Sequence, residues 1–179
     1  MKEVSIESIR VSLVNYQRVI ILKVNSNDRY IPIWVGSNEA DAIAIKLQKI
    51  SLPRPLTHDL IISILEEISM KIDYVLIDDI KEETYFAKIA IKINEKITLI
   101  DARASDAIAI AVRTNCPIYV KDEVAELSSV SLDHESETAL TADGEIKNTN
   151  SRLGLESAVE LSDFAEFIET LDLENLGEN

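Results

Sequence analysis

The pentapeptide Asp-Ala-Ile-Ala-Ile occurs twice in this chain, at residues 41–45 and again at 106–110, an offset of 65 residues. Each copy follows a β-rich run, Tyr30-Ile31-Pro32-Ile33-Trp34-Val35 before the first and Ile97-Thr98-Leu99-Ile100 before the second. A fixed-offset repeat of this kind is the signature of one supersecondary unit used twice. The repeat extends upstream. Residues 4–14 and 18–24 precede the first copy, residues 71–80 and 85–93 the second, and all four runs are rich in Val, Ile and Tyr with stretches of period-two alternation. Ile89, Ile91 and Ile93 share one face of such a run. Polar turns separate the runs, so each unit reads strand, strand, strand, helix.

A further helix is expected between the units. Thr57 is placed as its N-cap, Asp59 sits in its first turn against the positive end of the helix dipole, and Ile61, Ile64, Leu65 and Ile68 follow at helical spacing. Pro53-Arg54-Pro55 cannot continue a helix and forms a stiff connector. The expected fold is therefore α+β: a duplicated strand-strand-strand-helix unit, an extra helix between the copies and a C-terminal helix.

Charge divides the chain. Residues 1–125 carry 16 Lys and Arg against 18 Asp and Glu, whereas residues 126–179 carry 2 against 14. The acidity belongs to the tail, and the argument from a low isoelectric point against nucleic-acid binding does not extend to the duplicated core. The expected organisation is a duplicated α+β domain over residues 1–127 and an acidic appendage over 128–179. Within the appendage, 128–153 reads as a loop, and 156–171 reads as a helix with Phe164, Phe167, Ile168 and Leu171 on one face. No run of about 18 apolar residues is present, so no membrane span is expected. A single cysteine, Cys116, excludes an internal disulfide and suits a cytoplasmic location.

Several chemistries are excluded by inventory. Gly36 is the only glycine in the first 125 residues, so neither a glycine-rich phosphate loop nor a dinucleotide fingerprint is available. One cysteine and two histidines cannot build a Cys/His zinc site. What remains is a carboxylate-rich set: Glu39, Asp41, His58, Asp59, Asp101, Arg103 and Asp106. Ser105 reads as an N-cap and Asp106 as a first-turn acid of the second repeat helix. An Asp at a helix start is commonly a cap, and an Arg beside an Asp is commonly a structural ion pair. Against that stands a convergent reading, in which Arg54 and Arg103 hold a phosphate, carboxylates hold a hard divalent cation, and His58 acts as acid or base.

The ordered motifs resemble those of the bifunctional nuclease domain family. They are Ile31-Pro32-Ile33-Trp34-Val35-Gly36 with Glu39-Ala40, then Pro53-Arg54-Pro55-Leu56-Thr57-His58-Asp59-Leu60, then Tyr85-Phe86-Ala87, then Asp101-Ala102-Arg103-Ala104-Ser105-Asp106-Ala107-Ile108-Ala109, and finally Cys116-Pro117-Ile118-Tyr119-Val120. The resemblance spans roughly residues 4–125. Ala104 stands where the family commonly has proline. The resemblance implies an α+β fold built by duplication, together with DNase and RNase activity.

Two functions stay open on this reading. The first is a nuclease acting on DNA or RNA with Mg²⁺ or Mn²⁺. Its candidate metal ligands are Glu39, Asp59, Asp101 and Asp106, with His58, Asp59 and Asp101 as catalytic residues. Arg54, Thr57, Arg103 and Ser105 are its candidate substrate contacts. The second is a non-catalytic regulatory or small-anion-binding module that oligomerises. Exposed strand edges and apolar helix faces make a homodimer the expected assembly.

Overall fold

The computed structural model describes residues 1–11, 17–93, 96–132, 139–140 and 146–147. The first unit consists of β1 (Lys2–Val11), β2 (Arg18–Val24), β3 (Tyr30–Val35) and α1 (Ser37–Leu47). After α2 (Thr57–Glu67), the second repeats the pattern with β4 (Lys71–Lys81), β5 (Thr84–Ile93), β6 (Lys96–Arg103) and α3 (Ala104–Thr114). A short strand, β7 (Ile118–Val120), and a short helix, α4 (Asp122–Ser128), follow.

Both units are antiparallel meanders, β1-β2-β3 and β4-β5-β6. They share an irregularity. In β1 the register shifts between Ile6 and Ser8, leaving Glu7 as an extra residue, and in β4 it shifts twice, between Ile72 and Tyr74 and between Ile77 and Asp79, leaving Asp73 and Asp78.

The seven strands form one sheet in the order β3-β2-β1-β7-β4-β5-β6. β7 is the seam between the copies, antiparallel to β1 and parallel to β4. The main core draws on both copies: Ile20, Leu22, Ile31, Ile33 and Ile43 from the first, Val75, Ile77, Ala87 and Ile108 from the second. In β2, the alternate residues Val19 and Ile21 join Tyr30 in a smaller separate cluster, with Trp34 and Val130 packed against it. β2 is thus apolar on both faces, which explains its nearly unbroken hydrophobic run.

Helix α1 packs on α3, and α2 packs on α3 as well. Both helices are rich in small buried residues, Ala40 and Ala44 on α1 and Ala107 and Ala111 on α3, which permit close packing. The repeated Ala-rich pentapeptide is therefore first a packing device. Left-handed residues follow the three longer helices, Lys49 after α1, Ser69 after α2 and Asn115 after α3, and turn the chain without glycine.

Two caps differ from the sequence expectation. The N-cap of α2 is Leu56, not Thr57, because the Asp59 carboxylate reaches back to accept the Leu56 N–H at 2.9 Å. The N-cap of α3 is Arg103, and Ser105 lies buried inside the first turn. The polar stretch read as a loop from 128 onward contributes short strands among its described residues, β8 (Ser131–Leu132), β9 (Ala139–Leu140) and β10 (Ile146–Lys147). The helix expected over 156–171 lies outside the described residues. No helix among the described residues is long and apolar enough to cross a membrane.

Candidate functional site: a paired acidic and basic groove

Helix α2 packs on α3 and carries two polar residues to it. His58 Nε2 stands 3.2 Å from Asp106 Oδ1. Asp59 Oδ1 accepts a hydrogen bond from Arg113 Nε at 2.7 Å. The two motif-bearing loops, one before α2 and one before α3, thus meet.

Arg103, the N-cap of α3, is the hub of the first cluster. Its Nε donates to Asp106 Oδ2 at 2.8 Å and its Nη2 to Asp106 Oδ1 at 3.1 Å. The same Nη2 donates to Glu39 Oε1 at 2.7 Å, which ties the start of α3 to the start of α1. Its side chain is nonetheless 67% exposed. Hydrogen bonds to Asp106, then to Glu39, hold the guanidinium above its already high ordinary pKa. Burial pushes the Asp106 carboxyl upward, but hydrogen bonds from Arg103 and His58 and their charges outweigh it, and the net position is below the ordinary value.

Gly36 has an extended backbone, so conformation does not demand glycine there. A Cβ at Gly36 would meet the end of the Glu39 side chain, which folds back over it on the way to Arg103, so a larger residue there would displace that carboxylate.

These residues line a groove of about 470 Å³ with Asn38, Asp41, Ala42, Ile45, Leu56 and Thr57. Three carboxylates (Glu39, Asp41 and Asp106) face one guanidinium and one imidazole there. Across the shared wall of Ile45 lies a second groove of about 330 Å³, lined by Lys46, Ile50, Leu52, Pro53, Arg54, Pro55, Asp59 and Arg113. In this one, three cations face one carboxylate.

The candidate residues named from sequence therefore fall in three places. Glu39, Thr57, His58, Arg103 and Asp106 share the acidic groove, and Arg54 and Asp59 line the basic one. Asp101 lines neither; its side chain is 76% exposed and takes an ion pair from Lys88 at 2.6 Å. Ser105 is buried in α3. Burial pushes the Asp59 carboxyl up, but the Arg113 hydrogen bond, the Leu56 N–H and the charges of Arg113 and Lys46 bring it below its ordinary value.

The four carboxylates considered as metal ligands do not form one set. Glu39 and Asp106 meet through Arg103, whereas Asp59 is held by Arg113 and Asp101 by Lys88. Among the described residues no three His, Cys, Asp or Glu side chains stand together as a ready metal site.

Two polar residues escaped the sequence reading. Arg113 is the buried partner of Asp59, its side chain only 3% exposed, and it also donates to the carbonyls of Ala109 and Ala42. Its signal was there: apart from Asp106 it is the only charged residue in α3. Lys46, in the last turn of α1, has no sequence signal beyond its helical position.

The sequence profile of the Bifunctional nuclease domain matches residues 20–133, more than half of the chain. The chain belongs to the bifunctional nuclease domain family. An uncharacterized protein of Mycobacterium tuberculosis strain H37Rv is 39% identical over 141 residues, covering 79% of this chain and 84% of that protein. Bifunctional nuclease 1 of Oryza sativa subsp. japonica is 30% identical over 110 residues, which is 59% of this chain and 33% of the rice protein. Every motif from Ile31 to Tyr119 that carries the family likeness lies inside the matched region, and so do both grooves.

Proposed function

We propose that this protein hydrolyses phosphodiester bonds of DNA or RNA at the acidic groove. The observation that carries the reading is the single cluster of an imidazole, an exposed guanidinium and two carboxylates: His58, Arg103, Glu39 and Asp106. Family membership and the likeness to bifunctional nuclease 1 of rice support it.

In this reading His58 moves the proton, taking one from the attacking water or returning one to the leaving oxygen. Asp106 orients the ring through Nε2 and leaves Nδ1 for the substrate side. Arg103 grips a non-bridging phosphate oxygen. Its ion pairs are exposed ones, worth about 0–1 kcal/mol each, so a phosphate dianion or diester competes for it at low cost. Thr57, at the rim of the same groove, is a substrate contact. A divalent cation, Mg²⁺ or Mn²⁺, held by Glu39 and Asp106 would neutralise phosphate charge and acidify bound water. Asp59 and Asp101 are assigned supporting positions rather than ligation, because neither lines the groove that holds Glu39 and Asp106.

A second reading is favoured by one specific observation: each of Glu39, Asp41, Asp59, Asp101 and Asp106 already has a cationic partner. On that reading the molecule is a binding module for small anions without turnover. Either way we infer a homodimer, from the exposed Ile97, Leu99 and Ile100 of the edge strand β6. A cytoplasmic location suits both.

The test is hydrolysis of single-stranded DNA and RNA by wild type and His58→Ala, with Mn²⁺ and with chelator, at matched purity. The nuclease reading expects cation-dependent cleavage that falls about 100-fold or more in His58→Ala. Equal activity per milligram in both proteins would assign the cleavage to a contaminant and leave the binding-module reading in place.

A further inference from the structure

We infer that the basic groove beside the acidic one is a binding subsite for a phosphate-bearing nucleotide, with Lys46 and Arg54 as its phosphate contacts. The inference rests on the nuclease reading for its place along a substrate strand, but its binding claim is separately testable.

The groove has two internally matched charges and two others. Arg113 gives its Nε to Asp59 and one donor from each terminal nitrogen to the carbonyls of Ala109 and Ala42. Asp59 in turn takes Arg113 and the Leu56 N–H. That pair is a closed structural unit that joins α2 to α3 and to the α1 backbone. Lys46 and Arg54 remain. Arg54 has no hydrogen bond or ion pair among the described residues. It is exposed, on a loop whose neighbours Pro53 and Pro55 lack N–H groups and fix the backbone. Lys46 faces the groove from the last turn of α1, close enough for its charge to act on Asp59. A cation on a backbone held in this way loses little entropy when it takes an anion.

The rest of the lining is apolar: Ile45, Ile50, Leu52, Pro53 and Pro55. Inorganic phosphate would gain nothing from that wall. A nucleotide would, because its sugar or base covers apolar surface while its phosphate meets the two cations. About 330 Å³ is at the small end for a ligand pocket and suits one nucleotide unit. The wall residue Ile45 is shared with the acidic groove, and Thr57 and His58 face one groove while Asp59 faces the other. A strand lying across the first turn of α2 then seats one nucleotide in the basic groove. A neighbouring phosphodiester lies against His58 and Arg103.

The experiment uses the full chain in chelator at low salt. Binding of a nucleoside 5′-monophosphate, the matching nucleoside and inorganic phosphate is followed by amide chemical shifts. The same titrations are run on the Lys46→Gln/Arg54→Gln double variant and on Lys96→Gln, a surface lysine outside both grooves. The nucleotide is expected to bind wild type and Lys96→Gln alike and to weaken about 10-fold or more in the double variant, with shifts confined to residues 45–59 and the surroundings of Arg113. Nucleoside and inorganic phosphate should each bind at least about 10-fold more weakly than the nucleotide. Undiminished nucleotide binding in the double variant, equal binding by the nucleoside, or no binding at all would overturn the subsite. The two readings fail separately. Nucleotide binding lost in the double variant of a protein that cleaves nothing keeps the subsite and removes the nuclease. Cleavage with an unchanged KM in the double variant keeps the nuclease and removes the subsite.

Discussion

Asp41 and Asp106 begin the two copies of one pentapeptide, on equivalent helices of a duplicated unit, and they are nearly equally exposed, at 33% and 30% of their side chains. Each is ion-paired to an arginine, Asp41 to Arg18 at 3.0 Å and Asp106 to Arg103 at 2.8 Å. Yet their protonation is driven in opposite directions. Burial dominates at Asp41 and, against the Arg18 charge and hydrogen bond, leaves its carboxyl above the ordinary value. At Asp106 burial is outweighed by two partners, Arg103 and His58. The second partner comes from α2, an element that the duplication did not supply. The inserted helix packs on the second copy and delivers His58 to Asp106 and Asp59 to Arg113. The arginines differ too: Arg18 is 11% exposed and Arg103 is 67% exposed. The first copy keeps its pair as an anchor, and the second has a pair that a ligand can reach.

The largest effect that could break this comparison is on turnover. Asp106→Asn should lower cleavage of nucleic acid about 100-fold or more, because the amide no longer holds the His58 ring and Arg103 by charge. Asp41→Asn, on the same groove but tied to the partly buried Arg18, should lower it less than about 3-fold. Initial rates on one oligonucleotide, with folding checked by circular dichroism, decide it. Equal losses would mean that the two aspartates serve the groove together and that the copies are not specialised.

Stability should show the reverse order. Arg18→Met removes a largely buried guanidinium and leaves Asp41 partly buried without its cation, an expected cost of about 2 kcal/mol. Arg103→Met removes exposed ion pairs and should cost less than about 1 kcal/mol. Urea unfolding of both variants at neutral pH measures the difference. A larger loss at Arg103 would make its cluster a structural clamp between α1 and α3 and would weaken the argument that a phosphate can draw it out.

Much of this architecture was legible because it is local. The alternation in residues 84–93, the polar turns and the helical spacing after Thr57 each report on neighbours in sequence, and duplication supplied a second reading of every element. β7 was not legible: three residues at the seam make a strand only because β1 and β4 flank them. Cap positions slipped by one or two residues because side chains other than the expected ones, such as Asp59 reaching back to Leu56, satisfied the helix ends. Partner choice was least legible. Sequence put Asp101, Arg103 and Asp106 on one short stretch, but the strand hands over to the helix inside it: Asp101 is still within β6 and meets Lys88 on β5, whereas Arg103 caps α3 and, with Asp106 in the first turn, meets α1 and α2. Arg18 and Arg113 reach their aspartates only through tertiary packing, across 23 and 54 residues of chain.

The smallest expected effect is the most direct test of the opposed carboxyls. Asp106 is held below its ordinary value in the folded state. Its contribution to stability is therefore complete above about pH 4, the unfolded pKa, and is lost as pH falls through its folded value. Asp41 is held above its ordinary value. Its contribution is present below about pH 4 and is lost as pH rises through its folded value. Measured from about pH 3 to pH 6, the penalty of Asp106→Asn relative to wild type should grow with pH. The penalty of Asp41→Asn should shrink over the same interval, because the variant escapes the cost of ionising a carboxyl that burial disfavours. Denaturant unfolding at several pH values gives both slopes on one protein background. Slopes of the same sign would show that His58 and α2 do not set Asp106 apart from its twin, and the asymmetry between the copies would then rest on exposure of the arginines alone.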